Sequence, residues 1–155
     1  MLGPEHPDTL LTRNGLAYWV GEAGDPAAAR DRYAALLPIR ERVLGPKHPD
    51  TLLTRNYLAH WTGKAGDPAR ARDQLAALLP VDEQVLGPEH PGTLTARGDL
   101  AFWTGAAGDT VGARDQYAAL LPVFERVLGP EHPDTLTVRR NLGYLTRQED
   151  DKHSA

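Results

Sequence analysis

Apolar residues along this chain fall into short stripes with helical spacing. In the first stretch Leu10, Leu16, Ala17 and Trp19 mark one stripe, and Ala29, Tyr33, Leu36 and Val43 mark a second. Gaps of three, four and seven residues place such positions on one side of a helix, and almost no stretch shows the β-branched alternation of a strand. Breakers bound each stripe. Gly3-Pro4 precedes His6-Pro7-Asp8, a good helix start: proline suits the first turn, where its missing N–H would be unpaired anyway, and Asp8 sits near the positive helix end. The pattern predicts a first helix from about Pro7 to Glu22, closed by Gly24. Asp25-Pro26 repeats the start signal, with Asp25 as N-cap, and predicts a second helix from about Pro26 to Leu44, stopped by Gly45-Pro46.

This pair of stripes then recurs. The string Gly-Pro-Glu/Lys-His-Pro-Asp/Gly-Thr-Leu opens at Gly3, Gly45, Gly87 and Gly129, a period of 42 residues. Repeats therefore span 3–44, 45–86 and 87–128, with a partial copy at 129–146 and a polar tail at 147–155. The expected architecture is all-α, with about seven helices in a single repeat domain over residues 3–146. Stacked units of this length bury a face against their neighbours, so they present an extended surface more readily than an enclosed catalytic pocket. Met1-Leu2 aligns with Val43-Leu44, the end of a second helix, which suggests the C-terminal part of a longer repeat protein or self-association through an uncapped first helix. Pro38, Pro80 and Pro122 fall inside the second helix of each copy, and the position two residues later holds Arg40, Asp82 and Phe124 in the middle of the apolar arc. Charges there predict a kink or phase shift at each proline.

Leu16-Ala17, Ala29, Tyr33 and Leu36-Leu37 together resemble the tetratricopeptide repeat, whose pattern has a Leu-Gly pair, an alanine twelve residues on and an aromatic four beyond. The 42-residue form with a Gly-Pro-x-His-Pro-Asp linker is similar to the kinesin light chain type, also common in bacterial signalling proteins. The resemblance covers residues 3 to 146 and implies a right-handed α-solenoid of antiparallel helix pairs, a non-catalytic scaffold for proteins or extended peptides, and a place in a larger bacterial signalling or regulatory protein. Arg13 stands where the usual pattern has tryptophan, and Val20 or Thr62 where it has tyrosine. HEAT-type helical repeats are the alternative fold.

Comparison of the copies locates a candidate working surface. On the first helix the differences fall at Leu11, Asn14, Gly15, Tyr18 and Glu22; at Leu53, Asn56, Tyr57, His60 and Lys64; at Thr95, Gly98, Asp99, Phe102 and Ala106; and at Thr137, Arg140, Asn141, Tyr144 and Gln148. At about 100° per residue these positions share one arc. The constant residues Leu10, Arg13, Leu16, Ala17 and Trp19 occupy the other side. Since packing between like units calls for like residues, the varying arc reads as uncommitted surface, and the resemblance implies that it faces a concave groove. The candidate peptide contacts are Asn14, Tyr18, Glu22, Asn56, Tyr57, His60, Lys64, Asp99, Phe102, Arg140, Asn141 and Tyr144. Asn14 and Asn56 offer a donor and an acceptor to a peptide backbone. The competing reading is a stripe that simply drifts, or a structural or self-associating spacer; Gly98 and Ala106, which offer little to a ligand, favour it for the third copy.

Composition narrows the alternatives. A formal charge of −4 argues against a nucleic-acid phosphate binder. No apolar run approaches the roughly 18 residues of a membrane span, no leader is recognisable, and there is no cysteine, so cytoplasmic residence is expected. His6, His48, His90 and His132 recur one per repeat; neighbouring helices lie about 8–10 Å apart, too far for one ion to bind two of them, so capping or packing at the helix start is expected, with no metal or cofactor. Recurrence of the His-Pro-Asp tripeptide as a helix-start linker separates it from the J-domain signature. Arg13, Arg55, Arg97 and Arg139 lie on the constant side and are expected to form a ladder with carboxylates such as Asp31, Glu41 and their copies. Trp19, Trp61 and Trp103 should wedge between units with partly wet edges. Ser154 is the only serine, and no phosphate-cradling glycine loop exists, so no enzyme is expected.

Overall fold

The computed structural model describes residues 1–155, folded as seven α-helices without strands. They are α1 (Pro7–Glu22), α2 (Pro26–Leu44), α3 (Pro49–Lys64), α4 (Pro68–Val85), α5 (Pro91–Ala106), α6 (Thr110–Val127) and α7 (Pro133–Ser154). Each helix packs on the one before and the one after it, which makes an α-solenoid of antiparallel pairs.

The starts and stops follow local chemistry. His6, His48, His90 and His132 are the N-caps of α1, α3, α5 and α7; each Nδ1 accepts a hydrogen bond from the backbone N–H two residues on, at 3.2, 3.2, 3.0 and 3.2 Å. Asp25, Asp67 and Asp109 cap α2, α4 and α6 by accepting from the N–H three residues on. The turns inside and between pairs need the left-handed region, which Gly24 (φ 103°) and Gly45 (φ 97°) enter without a Cβ penalty. Residues Arg147 to Ala155, expected as a tail, are polar but continue α7 as helix to Ser154, with Arg114 of α6 paired to Glu149.

No break occurs at the prolines. α2, α4 and α6 each run through Pro38, Pro80 or Pro122 as one helix, with Arg40, Asp82 and Phe124 buried at 3%, 0% and 3% exposure. The expected phase shift is therefore corrected on two grounds. Each proline, and the alanine four residues before it (Ala34, Ala76, Ala118), lies on the exposed side of its helix, where a carbonyl deprived of its donor can be hydrated. The buried charge is met in part by polar partners, with Arg40 Nε and Asp82 Oδ1 left without one. Arg40 donates to Thr54 Oγ1 (2.7 Å), Asp50 O (2.9 Å), Leu10 O (3.3 Å) and Asn14 Oδ1 (3.5 Å). Asp82 accepts from Asn56 Nδ2 at 3.2 Å.

Three contacts recur at the junctions between repeats. The first is a threonine at the start of the leading helix, whose hydroxyl donates to a backbone carbonyl of the preceding helix: Thr51 to Arg40, Thr93 to Asp82 and Thr135 to Phe124, at 3.4, 3.4 and 3.3 Å. The second is the arginine ladder. Arg55 meets Glu41 at 2.6 Å, Arg97 meets Glu83 at 3.8 Å and Arg139 meets Glu125 at 2.7 Å, while Asp31 pairs instead with the adjacent Arg30. The third, at the first two junctions, is the wedge. Trp61 lies over Gly21 and Trp103 over Gly63, so closely that a Cβ on either glycine would overlap the indole. Both tryptophans are buried, at 3% and 5% exposure. Trp19 has no such seat and is 69% exposed, beside an exposed Leu16 and an Arg13 without an ion-pair partner.

Candidate peptide-binding groove

The leading helices α1, α3, α5 and α7 stand side by side. α3 packs directly on α5, a contact that no pair of second helices matches. Tyr18, His60, Phe102 and Tyr144 occupy the same turn of successive leading helices. They are neither scattered nor enclosed: Tyr18 and His60 are half-buried, and Phe102 and Tyr144 are 46% and 56% exposed.

The wedge tryptophans hold this row in place. Tyr18 makes edge contacts with Trp61 (6.2 Å between ring centroids) and Tyr57 (5.9 Å). His60 lies edge-on to Trp61 at 4.9 Å and Trp103 at 6.2 Å. Phe102 meets Trp103 at 4.8 Å. Rings clamped this way keep an exposed face without free rotation, which lowers the ordering cost of binding. Burial lowers the pKa of His60, and the Lys64 charge lowers it further, so its imidazole is neutral at pH 7 and carries both a donor and an acceptor. Glu22 and Lys64 are exposed at the end of the same stripe. Tyr144 accepts from Gln148 Nε2 at 2.7 Å, and Arg140 is exposed with no ion-pair partner.

Other members of the varying arc are engaged in packing. Asn14 and Asn56 bond Arg40 and Asp82, which leaves them less free for a peptide backbone. Tyr57 stacks on Tyr33 at 5.2 Å and 19°, and Asn141 donates to the Tyr117 hydroxyl at 3.0 Å. Variation between copies is thus compensated across each helix pair. The position of Arg40, Asp82 and Phe124 varies from copy to copy, and 26 residues earlier stands an asparagine (Asn14, Asn56) facing either charge or a glycine (Gly98) where the phenyl ring lies. The sequence carried this signal, but reading the copies one position at a time misses it, because the paired positions lie on different helices.

Two cavities open at the third junction. One, of about 400 Å³, is lined by Ala101, Phe102, Gly105, Ala113, Tyr117 and Leu145, among others. It lies where Leu145 takes the wedge position of Trp61 and Trp103, and Gly105 the position of their seats Gly21 and Gly63. The other, of about 170 Å³, is lined by Gly98, Asp99, Phe102, Phe124, Asp134 and Asn141, among others. Asp99 accepts no hydrogen bond there, and its pKa is pushed up to about 6, first by burial and then by the Asp134 charge. No group of three His, Asp, Glu or Cys side chains converges anywhere in the fold as a metal would need, and no helix is long and apolar enough to cross a membrane.

Comparison with known proteins agrees with this fold. Two sequence models, each of the tetratricopeptide repeat, match residues 22–84 and 93–134, together more than half of the chain. The chain belongs to the tetratricopeptide repeat family. Among solved structures it is similar to a Podosopora anserina protein with kinesin light chain-like, nearly identical TPR-like repeats, at 23% identity and a TM-score of 0.76, over 99% of this chain and 73% of that one. A single-substitution variant of that protein gives the same identity and coverage, with a TM-score of 0.78. BtubC (BKLC) from P. vanneervenii gives 17% identity and a TM-score of 0.81 over 97% of this chain and 59% of that one. These likenesses show the fold: a solenoid of kinesin light chain-like repeats. No curated protein matches the chain in sequence.

Proposed function

We propose that this scaffold is non-catalytic and binds an extended protein segment along the trough formed by α1, α3, α5 and α7. One observation carries the reading. Tyr18, His60, Phe102 and Tyr144 occupy equivalent positions on successive leading helices, with the first three braced against tryptophan rings and all retaining solvent-accessible surface. A periodic row of aromatic faces and hydrogen-bonding tips suits a partner in extended conformation, because each repeat offers one equivalent contact. Glu22, Lys64 and Arg140 add charge along the same wall, whereas Asn14, Asn56, Tyr57 and Asn141 support it from behind. Acidic net charge favours a protein partner over nucleic acid. The resemblance to kinesin light chain-like repeats supports a module of a larger bacterial signalling or regulatory protein working in the cytoplasm.

Replacing Tyr18, His60 and Tyr144 together by alanine tests this. Partners captured by the wild-type protein should fall at least tenfold while helicity and melting stay close to wild type. Retention of every partner by the folded triple variant would refute the groove. A second reading, a self-associating repeat spacer, is favoured by Trp19 and Leu16, which are exposed where their copies are covered. Under it, sedimentation should depend on concentration, and Trp19→Ala should abolish that dependence.

A further inference from the structure

At the first junction the place equivalent to the smaller cavity is partly taken up from within, while about 160 Å³ lined by Leu11, Arg40 and Asp50, among others, stays open beside it. There Arg40 reaches across from α2, and its guanidinium donates to Thr54, Asp50, Leu10 and Asn14. At the third junction most of these parts have changed. Phe124 replaces Arg40, Gly98 replaces Asn14 and Val138 replaces Thr54, while Asp134 retains the position of Asp50 and Asp99 brings a carboxylate where the first copy has Gly15. Phe124 fills the core but leaves no donor, and Gly98 removes a side chain altogether. The result is the space of about 170 Å³, open beside Phe102 of the aromatic row and facing Asp99 and Asp134.

We propose that this cavity receives the guanidinium of an arginine side chain carried by the extended segment in the trough, a partner supplying in trans the group that Arg40 supplies in cis. The proposal rests on the groove reading above and adds to it the chemistry of one subsite. Asp99 has neither an ion pair nor a hydrogen bond within the fold, and the titratable neighbours that act on it or feel it, Asp134, Tyr57 and Tyr117, supply no positive charge. Its raised affinity for a proton fits a half-buried carboxylate lacking a cation. His132 lies 3.8 Å from the Asp134 carboxylate but does not line the cavity, and it leaves Asp99 unpaired. A planar guanidinium suits the walls better than an ammonium, since it donates in a fork to carboxylate and carbonyl oxygens and lays its face on a phenyl ring such as Phe102. A small metal cation would find only two carboxylates there, with no third carboxylate, histidine or cysteine.

The test uses the full chain, isotopically labelled, titrated with N-acetyl-argininamide and, separately, with N-acetyl-leucinamide. The arginine derivative should produce saturable shifts at the Asp99 carboxyl, the Gly98 amide and the Phe102 ring, and should lower the Asp99 pKa. The leucine derivative should leave these signals unmoved. Asp99→Asn, nearly isosteric, should weaken binding at least tenfold, and Asp134→Asn, at an exposed position, should weaken it severalfold. Binding within twofold of wild type in Asp99→Asn, shifts that never saturate, or equal shifts with the leucine derivative would each overturn the proposal. If the Tyr18/His60/Tyr144 variant loses its partners while Asp99→Asn keeps argininamide binding, the subsite fails and the groove stands. If argininamide binding depends on Asp99 but the triple variant keeps every partner, assignment of the cavity to a segment in the trough is overturned along with the groove.

Discussion

Alanine placed in turn at Gly63 and Gly105 makes one chemical change at two equivalent positions with different neighbours. Both glycines lie inside leading helices with ordinary helical backbone, where alanine is favoured by about 1 kcal/mol on propensity alone. At Gly63 the new Cβ would sit 2.5 Å from Cη2 of Trp103 and 2.6 Å from Cζ2 and Cζ3. Carbon contacts settle at about 3.5–4.0 Å, so the indole would have to withdraw by roughly 1 Å. Over-packing of this kind costs about 1–3 kcal/mol, and loss of the wedge altogether would approach the roughly 3–5 kcal/mol of a tryptophan truncation. At Gly105 the same Cβ meets only Ala113 Cβ, at 3.1 Å, because Leu145 does not reach the seat. That contact asks for a shift of only a few tenths of an ångström, far less than the overlap at Gly63 demands. Gly63→Ala should therefore be less stable than Gly105→Ala by about 2 kcal/mol. With a urea dependence of about 2 kcal/mol/M, the two midpoints should differ by about 1 M. Urea unfolding followed by circular dichroism reads this directly. Equal midpoints, or a higher one for Gly63→Ala, would refute the wedge-and-seat account of the junctions.

Leu145→Trp, which restores the repeating residue over the 400 Å³ cavity, should raise stability by about 0.5–2 kcal/mol, seen as a higher melting temperature. Arg40→Ala strands the Thr54, Asp50 and Leu10 acceptors and opens a void, and should cost about 3 kcal/mol in denaturant unfolding. His48→Ala removes the N-cap of α3 and should cost about 1 kcal/mol by the same measurement. The folded-state pKa of Asp99, about 6, lies above the roughly 3.9 of an unfolded aspartate. The folded protein thus binds the extra proton between these values, and the contribution of Asp99 to stability is full below about pH 4 and lost as pH rises through 6. Asp99→Asn should therefore gain stability relative to wild type on going from about pH 4 to pH 7; a constant difference across that range would contradict the assignment.

Much of this molecule is set by short-range chemistry, and that part is readable along the chain. His-Pro-Asp-Thr and Asp-Pro fix where helices begin because the cap and its N–H partner lie two or three residues apart. Gly24, Gly45 and their copies fix where helices turn because only glycine enters that backbone region freely. The 42-residue period then determined the stacking, since like units bury like faces, and it correctly marked the arginine ladder as structural. The alignment of the aromatic row, too, follows from helical phase and the period. What only the tertiary structure decided is the partner of each residue that varies. Asn14 and Arg40, or Asn56 and Asp82, are 26 residues apart and meet because two helices pack antiparallel, so a position that changes from copy to copy can still be part of the core. Arg40 and Asp82 looked misplaced on an apolar arc for the same reason: whether a buried charge is tolerated depends on acceptors and donors from the neighbouring helices, and their positions are known only once the chain has folded.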